Sequence, residues 1–139
     1  MKEALIDTGP ILAFFSNSDK YSKVFQKYSK NFQGKLYTSL AVVTEVSYML
    51  EDIKSAQLDF IDWISLGAIN IFNIESEDFK SIWNLMKKYS DTPMDFADAT
   101  LVFLSNKYKI YDILTFDSDF DIYHLKNNKI FNNLLKNIL

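Results

Sequence analysis

The chain has 139 residues, one histidine and no cysteine, a length that suits one domain spanning 1–139 with a core of its own. An apolar share of 48% with 3 glycines and 2 prolines excludes disordered, collagen-like and low-complexity sequence, and the lack of cysteine excludes a disulfide framework or a thiolate zinc site. With 18 acidic and 15 basic side chains the net charge is −3, which argues against sequence-blind wrapping of nucleic acid but leaves room for a nuclease whose bound cations supply positive charge.

In chain order, Ala4–Ile6 reads as a short buried strand, closed by Asp7-Thr8-Gly9-Pro10 and a helical turn through Phe15. Asp19–Phe32 has helical spacing in Tyr21, Val24, Phe25 and Tyr28, and Gly34 stops it. Lys35–Thr38 is a second strand, after which Ser39 caps a helix to about Glu51. Ser55 opens another, with Leu58, Ile61, Trp63 and Ile64 as its apolar face and Gly67 as its stop. Ile69–Ile74 is β-branched and aromatic, hence a strand. Helices follow from Ser76 to about Tyr89 and from Thr92-Pro93 to about Tyr108, then strands at Ile113–Phe116 and Lys129–Phe131. Strands alternating with helices predict an α/β domain, three-layered α/β/α, around a short, mainly parallel sheet of four or five strands.

No stretch approaches the ~20 apolar residues of a membrane span. Glu3 and Asp7 fall where a signal peptide would keep its apolar segment, so a soluble, cytoplasmic protein is expected, with no membrane partner. All 15 basic residues are lysine, so no bidentate Arg–carboxylate pair forms within the chain.

A few carboxylates are placed awkwardly for ordinary surface charges. Asp7 and Asp117 each follow a predicted strand, and ligands of an open parallel sheet bind beyond the carboxyl ends of strands; both also read as turn or cap residues. Glu45 has Ala41, Val42, Tyr48 and Met49 as helical neighbours, which sets it on or beside a buried stripe with no lysine within a turn. Asp98 lies in Phe96-Ala97-Asp98-Ala99-Thr100-Leu101-Val102, an apolar setting. Asp95, on the same face, reads equally well as the N3 acid of a cap built on Thr92 and Pro93. Asp119 is a further ligand or cap candidate. Two such charges ~5 Å apart repel by about 3 kcal/mol at an effective dielectric of ~20. Convergence of four therefore requires a cation, and carboxylate ligands select Mg²⁺ or Mn²⁺, with Ca²⁺ as an inactive mimic.

Leu5-Ile6-Asp7-Thr8-Gly9-Pro10-Ile11-Leu12, Val43-Thr44-Glu45-Val46, Asp95-Phe96-Ala97-Asp98-Ala99 and Leu114-Thr115-Phe116-Asp117-Ser118-Asp119-Phe120 resemble the ordered motifs of the PIN-domain ribonucleases. The likeness runs from about residue 3 to 122 and is nearest to the VapC-type toxins of VapBC toxin–antitoxin systems. No one motif is specific, but four in this order are. The resemblance implies an endoribonuclease dependent on one or two Mg²⁺ or Mn²⁺ ions, with Asp7, Glu45, Asp98 and Asp117 as its acidic quartet. The metal would rest on Asp7, Asp98 and Asp117, with Glu45, Asp95 and Asp119 as further candidate ligands. Water rather than a side chain would be the nucleophile, leaving a 5′-phosphate and a 3′-hydroxyl. Thr8 and Thr115 lie where the family has hydroxyls that orient the first and last acids. A homodimer and a VapB-like antitoxin partner are implied as well. In a chain without arginine, RNA binding would fall to Lys20, Lys23, Lys27, Lys30 and Lys35, which also read as a solvated helix face. His124 reads as packing or surface.

Other α/β modules fit less well. A phospho-receiver domain would carry paired acids by its first strand, where Leu5 and Ile6 stand, and an aspartyl phosphatase would need Asp-x-Asp where the chain has Asp7-Thr8-Gly9. A housekeeping RNA-processing nuclease of the same fold remains an alternative, as does a PIN fold that only binds; the intact quartet argues against the latter.

Overall fold

The structure, a computed structural model, describes residues 2–138. Strand β1 (Lys2–Ile6) leads into α1 (Thr8–Phe15) and α2 (Ser22–Asn31), β2 (Gly34–Ser39) into α3 (Leu40–Met49) and α4 (Lys54–Ser65), and β3 (Asn70–Phe72) into α5 (Phe79–Lys88) and α6 (Phe96–Tyr108). Strands β4 (Asp112–Leu114) and β5 (Asn132–Asn133) finish the sheet. All five strands are parallel, in the order β3-β2-β1-β4-β5. Right-handed crossovers put the helices before β2 and β3 on one face and those before β4 on the other, giving the expected three layers.

The strand order reverses between β1 and β4, so a crevice opens beyond their carboxyl ends. Both strands are central: Ala4, Leu5, Ile6, Ile113 and Leu114 are buried, as strands covered on two faces must be. Gly34 is needed where β2 starts, because a Cβ there would stand 2.5 Å from the Lys2 carbonyl oxygen. Ser39 caps α3 as expected, its hydroxyl accepting from the Val42 N–H at 3.3 Å and sharing a 2.8 Å hydrogen bond with Thr100 of α6. Gly67, at φ +87°, ends α4 in a left-handed turn.

Four local expectations are corrected. The last strand is Asn132–Asn133 rather than Lys129–Phe131; Ile130 instead bridges His124 in antiparallel fashion. Strand β4 stops at Leu114, so Asp117 stands on a turn and not at the strand end. Helix α6 begins at Phe96, because Thr92 and Pro93 are taken up in a turn; Asp95 is thus its N-cap and not an N3 residue. Helix α4 buries Ala56 and Phe60, half-buries Trp63 and Ile64, and leaves Leu58 and Ile61 exposed. The cause is an aromatic pair on α1: Phe15 packs edge-on against Phe60 and Trp63, and Phe14 stacks on Trp63 at 5.4 Å. Burial of Phe60 contributes about 2 kcal/mol, and it selects the 56-60-63 stripe over the parallel apolar stripe at 58 and 61.

Candidate active site

Three acids from separate segments meet in the crevice: ligand oxygens of Asp7, Asp98 and Asp117 lie within 4.8 Å of one another. Asp7 caps α1 and is tied to the neighbouring strand by its N–H, which donates to the Leu114 carbonyl at 3.0 Å. Asp98 lies in the first turn of α6, a helix buried on nearly every side, with Ala97, Ala99, Leu101, Val102 and Leu104 all inside. Asp117 caps the 3-10 turn Ser118–Asp121, accepting from the Asp119 N–H at 2.9 Å.

The hydroxyl of Thr115 joins the first and last of these acids. It donates to Asp7 Oδ2 at 2.8 Å and accepts from the Asp117 N–H at 3.0 Å. Thr8, by contrast, presents a buried hydroxyl with no hydrogen-bond partner among the described residues. Thr115 thus holds the Asp7 carboxylate and the Asp117 backbone at once. Asp98 is held from two sides. Asp95 Oδ1 accepts its N–H at 2.8 Å, and the Tyr123 hydroxyl donates to Asp98 Oδ2 at 3.1 Å. Tyr123 is fully buried and was not singled out by sequence reasoning. Its one signal was a hydroxyl-bearing aromatic shortly after the last acidic motif, in a setting that otherwise reads as core.

Glu45 is half-buried beside the stripe of Val42 and Val46. It adds repulsion at Asp7 but stands outside the close trio. It lines an open groove of about 560 Å³ together with Asp95 and Phe96. Asp95 is exposed and Asp119 half-buried. The candidate RNA lysines are all exposed but spread widely. The Lys20 ammonium lies 4.9 Å from the Tyr21 ring centre, and that ring packs on Phe116, next to Asp117. Lys35 sits opposite Glu3 at the entering end of the sheet. Lys27 and Lys30 lie along α2 between these ends, and Lys23 stands in its first turn.

Burial pushes the Asp7 carboxyl up to about 6, against the lowering effect of the Thr8 N–H and the Thr115 hydroxyl; Asp117 and Glu45 push it further up. Asp98 is pushed up to about 8, by burial first and then by Asp95 and Asp7, while the Tyr123 hydrogen bond pulls the other way. Burial and the charge of Asp117 raise Asp119 as well. Among the described residues the one ion pair within 4.0 Å is Lys136–Asp121, so no side-chain cation neutralises the trio. Three converging carboxylates with no side-chain cation beside them make an all-oxygen donor set. That set fits a hard divalent cation and suits no soft metal.

A family model described as the PIN domain matches residues 4–124. Ribonuclease VapC26 of Mycobacterium tuberculosis is 26% identical over 115 residues, covering 81% of this chain and 85% of that protein. The solved structure of Mycobacterium tuberculosis VapC20, a sarcin-ricin loop cleaving toxin, superposes with a TM-score of 0.75 at 18% identity, over 84% of this chain and 91% of that one. VapBC2 from Rickettsia felis, bound to a DNA fragment from its promoter, gives 0.64 at 15% identity over 94% and 98%. A toxin–antitoxin complex from Klebsiella pneumoniae gives 0.59 at 19% identity over 83% and 87%. These structures share the fold.

Proposed function

The chain belongs to the PIN-domain family, and from that premise we propose that it is a Mg²⁺- or Mn²⁺-dependent endoribonuclease, the toxin of a toxin–antitoxin pair. The observation that carries the reading is the convergence of Asp7, Asp98 and Asp117 within 4.8 Å where the strand order reverses. Those three residues would hold the metal, with Glu45 from α3 as the fourth acid of the quartet and Asp95 and Asp119 as further candidate ligands at the margin. A divalent ion held there would supply positive charge for phosphate oxygens and would acidify water.

The chain's own part is positioning. Thr115 aims Asp7 Oδ2 inward and fixes the turn that presents Asp117. Tyr123 and the Asp95 cap fix the rotamer and backbone of Asp98. In this reading water is the nucleophile, as the family resemblance implies, so no covalent enzyme intermediate forms; His124, exposed at the surface, takes no part. The reading also takes the protein to be one cytoplasmic domain that forms a homodimer and is held in check by a VapB-like antitoxin. The ribonuclease and antitoxin parts of the reading are supported by the likeness to ribonuclease VapC26 and by neighbours solved as toxin–antitoxin complexes. No helix among the described residues is long and apolar enough to cross a membrane.

The test is cleavage of structured and single-stranded RNA in Mg²⁺, Mn²⁺ or EDTA, comparing the wild type with Asp7→Asn after matching their folded spectra. Cleavage that needs metal and disappears in the variant supports the reading. Equal cleavage in both proteins, or none in the wild type on any RNA, overturns it.

A further inference from the structure

Between α5 and α6, and bordered by the segment around His124, lies a groove of about 430 Å³. Its lining includes Lys88, Phe103, Asn106, Lys107, His124 and Lys126, and no carboxylate among the described residues takes part. That is unexpected in a chain whose acids outnumber its bases by 18 to 15. Lys88 and Lys107 each stand in the last turn of a helix, where the dipole welcomes a cation. The dipole gives no reason for Lys126 and His124 to arrive at the same hollow from a different segment. They are fixed there by the Lys126 N–H, which donates to Asn106 Oδ1 at 2.9 Å, and by the His124 N–H, which donates to the Tyr89 hydroxyl at 2.7 Å. None of the three lysines belongs to the ion pair found among the described residues.

We propose that this groove binds a single-stranded segment of the RNA substrate beyond the cleavage site. Its lysines would contact backbone phosphates, and the Phe103 and His124 rings would offer faces to bases. The proposal rests on the nuclease reading and extends it. Helix α6 carries Asp98 in its first turn and Lys107 in its last, so the far end of the groove lies roughly 14 Å along the helix axis from Asp98, and about half a turn round it, at about 1.5 Å per residue and about 3.6 residues per turn. That is the span of about four stacked nucleotides at ~3.4 Å each. The second link is Tyr123, which hydrogen-bonds Asp98 and directly precedes His124. An acidic protein segment is the competing occupant. Cationic side chains interleaved with ring faces favour the nucleic acid, since single-strand sites combine charge with stacking.

The probe is a labelled single-stranded RNA of about 20 nucleotides, bound in Ca²⁺ so that affinity is read without turnover. The triple variant Lys88→Ala/Lys107→Ala/Lys126→Ala should bind at least about 10-fold more weakly at 0.1 M salt. The slope of log affinity on log salt should fall by about 2, as for three lost phosphate contacts. The matched triple Lys54→Ala/Lys80→Ala/Lys136→Ala, which removes the same charge from outside the groove, should stay within about twofold of wild type. If wild type binds RNA and both triples bind alike, the groove proposal is overturned and the nuclease reading stands. Wild type that neither binds nor cuts RNA overturns both.

Discussion

Glu3 and Asp7 stand four residues apart at the entering and leaving ends of β1, and the sheet treats them in opposite ways. Glu3 is exposed, faces Lys35 across the register and accepts from the Tyr37 hydroxyl at 2.8 Å, so water and a neighbour both serve its charge. Asp7 is buried among two other acids with one hydroxyl and, among the described residues, no cation beside it. The residues are chemically alike. What differs is that α1, α6 and the turn after β4 close over the leaving end and take most of the water from Asp7 and Asp98. A charged group kept in that state is destabilising unless something else is bound, and this is why the leaving end reads as the site.

Removing one acid at the leaving end should produce the largest contrast. Asp98→Asn is expected to lower metal-dependent RNA cleavage by roughly 1,000-fold or more, as loss of a core charged group does. The same variant should melt higher than wild type at pH 8 in EDTA, because a repelling carboxylate is gone. Glu3→Gln should leave cleavage and melting temperature unchanged. Activity and thermal melts on the three proteins check this, and an Asp98→Asn protein that still cuts would break the comparison.

The next effect is a pH dependence of the metal-free protein. An ordinary aspartate near 3.8 is raised to about 6 at Asp7 and about 8 at Asp98 in the folded state. Between about pH 4 and 8 the folded chain therefore holds protons that the unfolded chain has released, and stability falls as pH rises through that window. In EDTA the melting temperature should drop by several degrees, on the order of 5 °C, from pH 5 to pH 8. Mn²⁺ at pH 8 should restore it, since a bound cation replaces the protons. A melt that rises with pH, or ignores Mn²⁺, contradicts the arrangement.

The groups that hold the acids should matter less than the acids. Thr115→Val removes the donor to Asp7 and the acceptor for the Asp117 N–H in one step, and is expected to reduce activity or metal affinity by about 10–100-fold. Tyr123→Phe keeps the ring and loses only the hydroxyl on Asp98, which should cost about 1 kcal/mol in stability and a smaller fraction of activity. Thr8→Val should fall below both, because its hydroxyl has no protein partner to lose.

Much of this was legible in the sequence, for identifiable reasons. The strand–helix alternation and the Ser39 cap follow from short-range patterns. Asp98 stood out because an acid amid Ala97, Ala99, Leu101 and Val102 has no surface explanation. The Tyr123–Asp98 hydrogen bond spans 25 positions and depends on the turn after Asp117, so no local pattern carries it. The buried face of α4 escapes local pattern for a similar reason. Two apolar stripes were available, and only the Phe14–Phe15 pair of another helix decides between them. Pro favours the first helical turn, which makes Thr92-Pro93 read as a helix start, but here the pair sits in the turn before the helix and Asp95 becomes the N-cap.

The smallest expected effect separates the lysines by the same two ends. Lys20 lies over Tyr21, and that ring rests on Phe116 beside Asp117, so its ammonium reaches the rim where RNA would enter. Lys35 stands opposite Glu3 at the far end of the sheet. An exposed cation acts on an anionic substrate only within about a Debye length, roughly 10 Å at 0.1 M salt. Lys20→Ala should raise KM for RNA by a few fold at low salt, with the difference fading as salt rises, and kcat should not move. Lys35→Ala should leave both constants within about twofold of wild type at every salt concentration. Equal effects from the two substitutions would mean that the substrate follows α2 down to the entering end, and that the contrast between the ends of β1 does not extend to RNA binding.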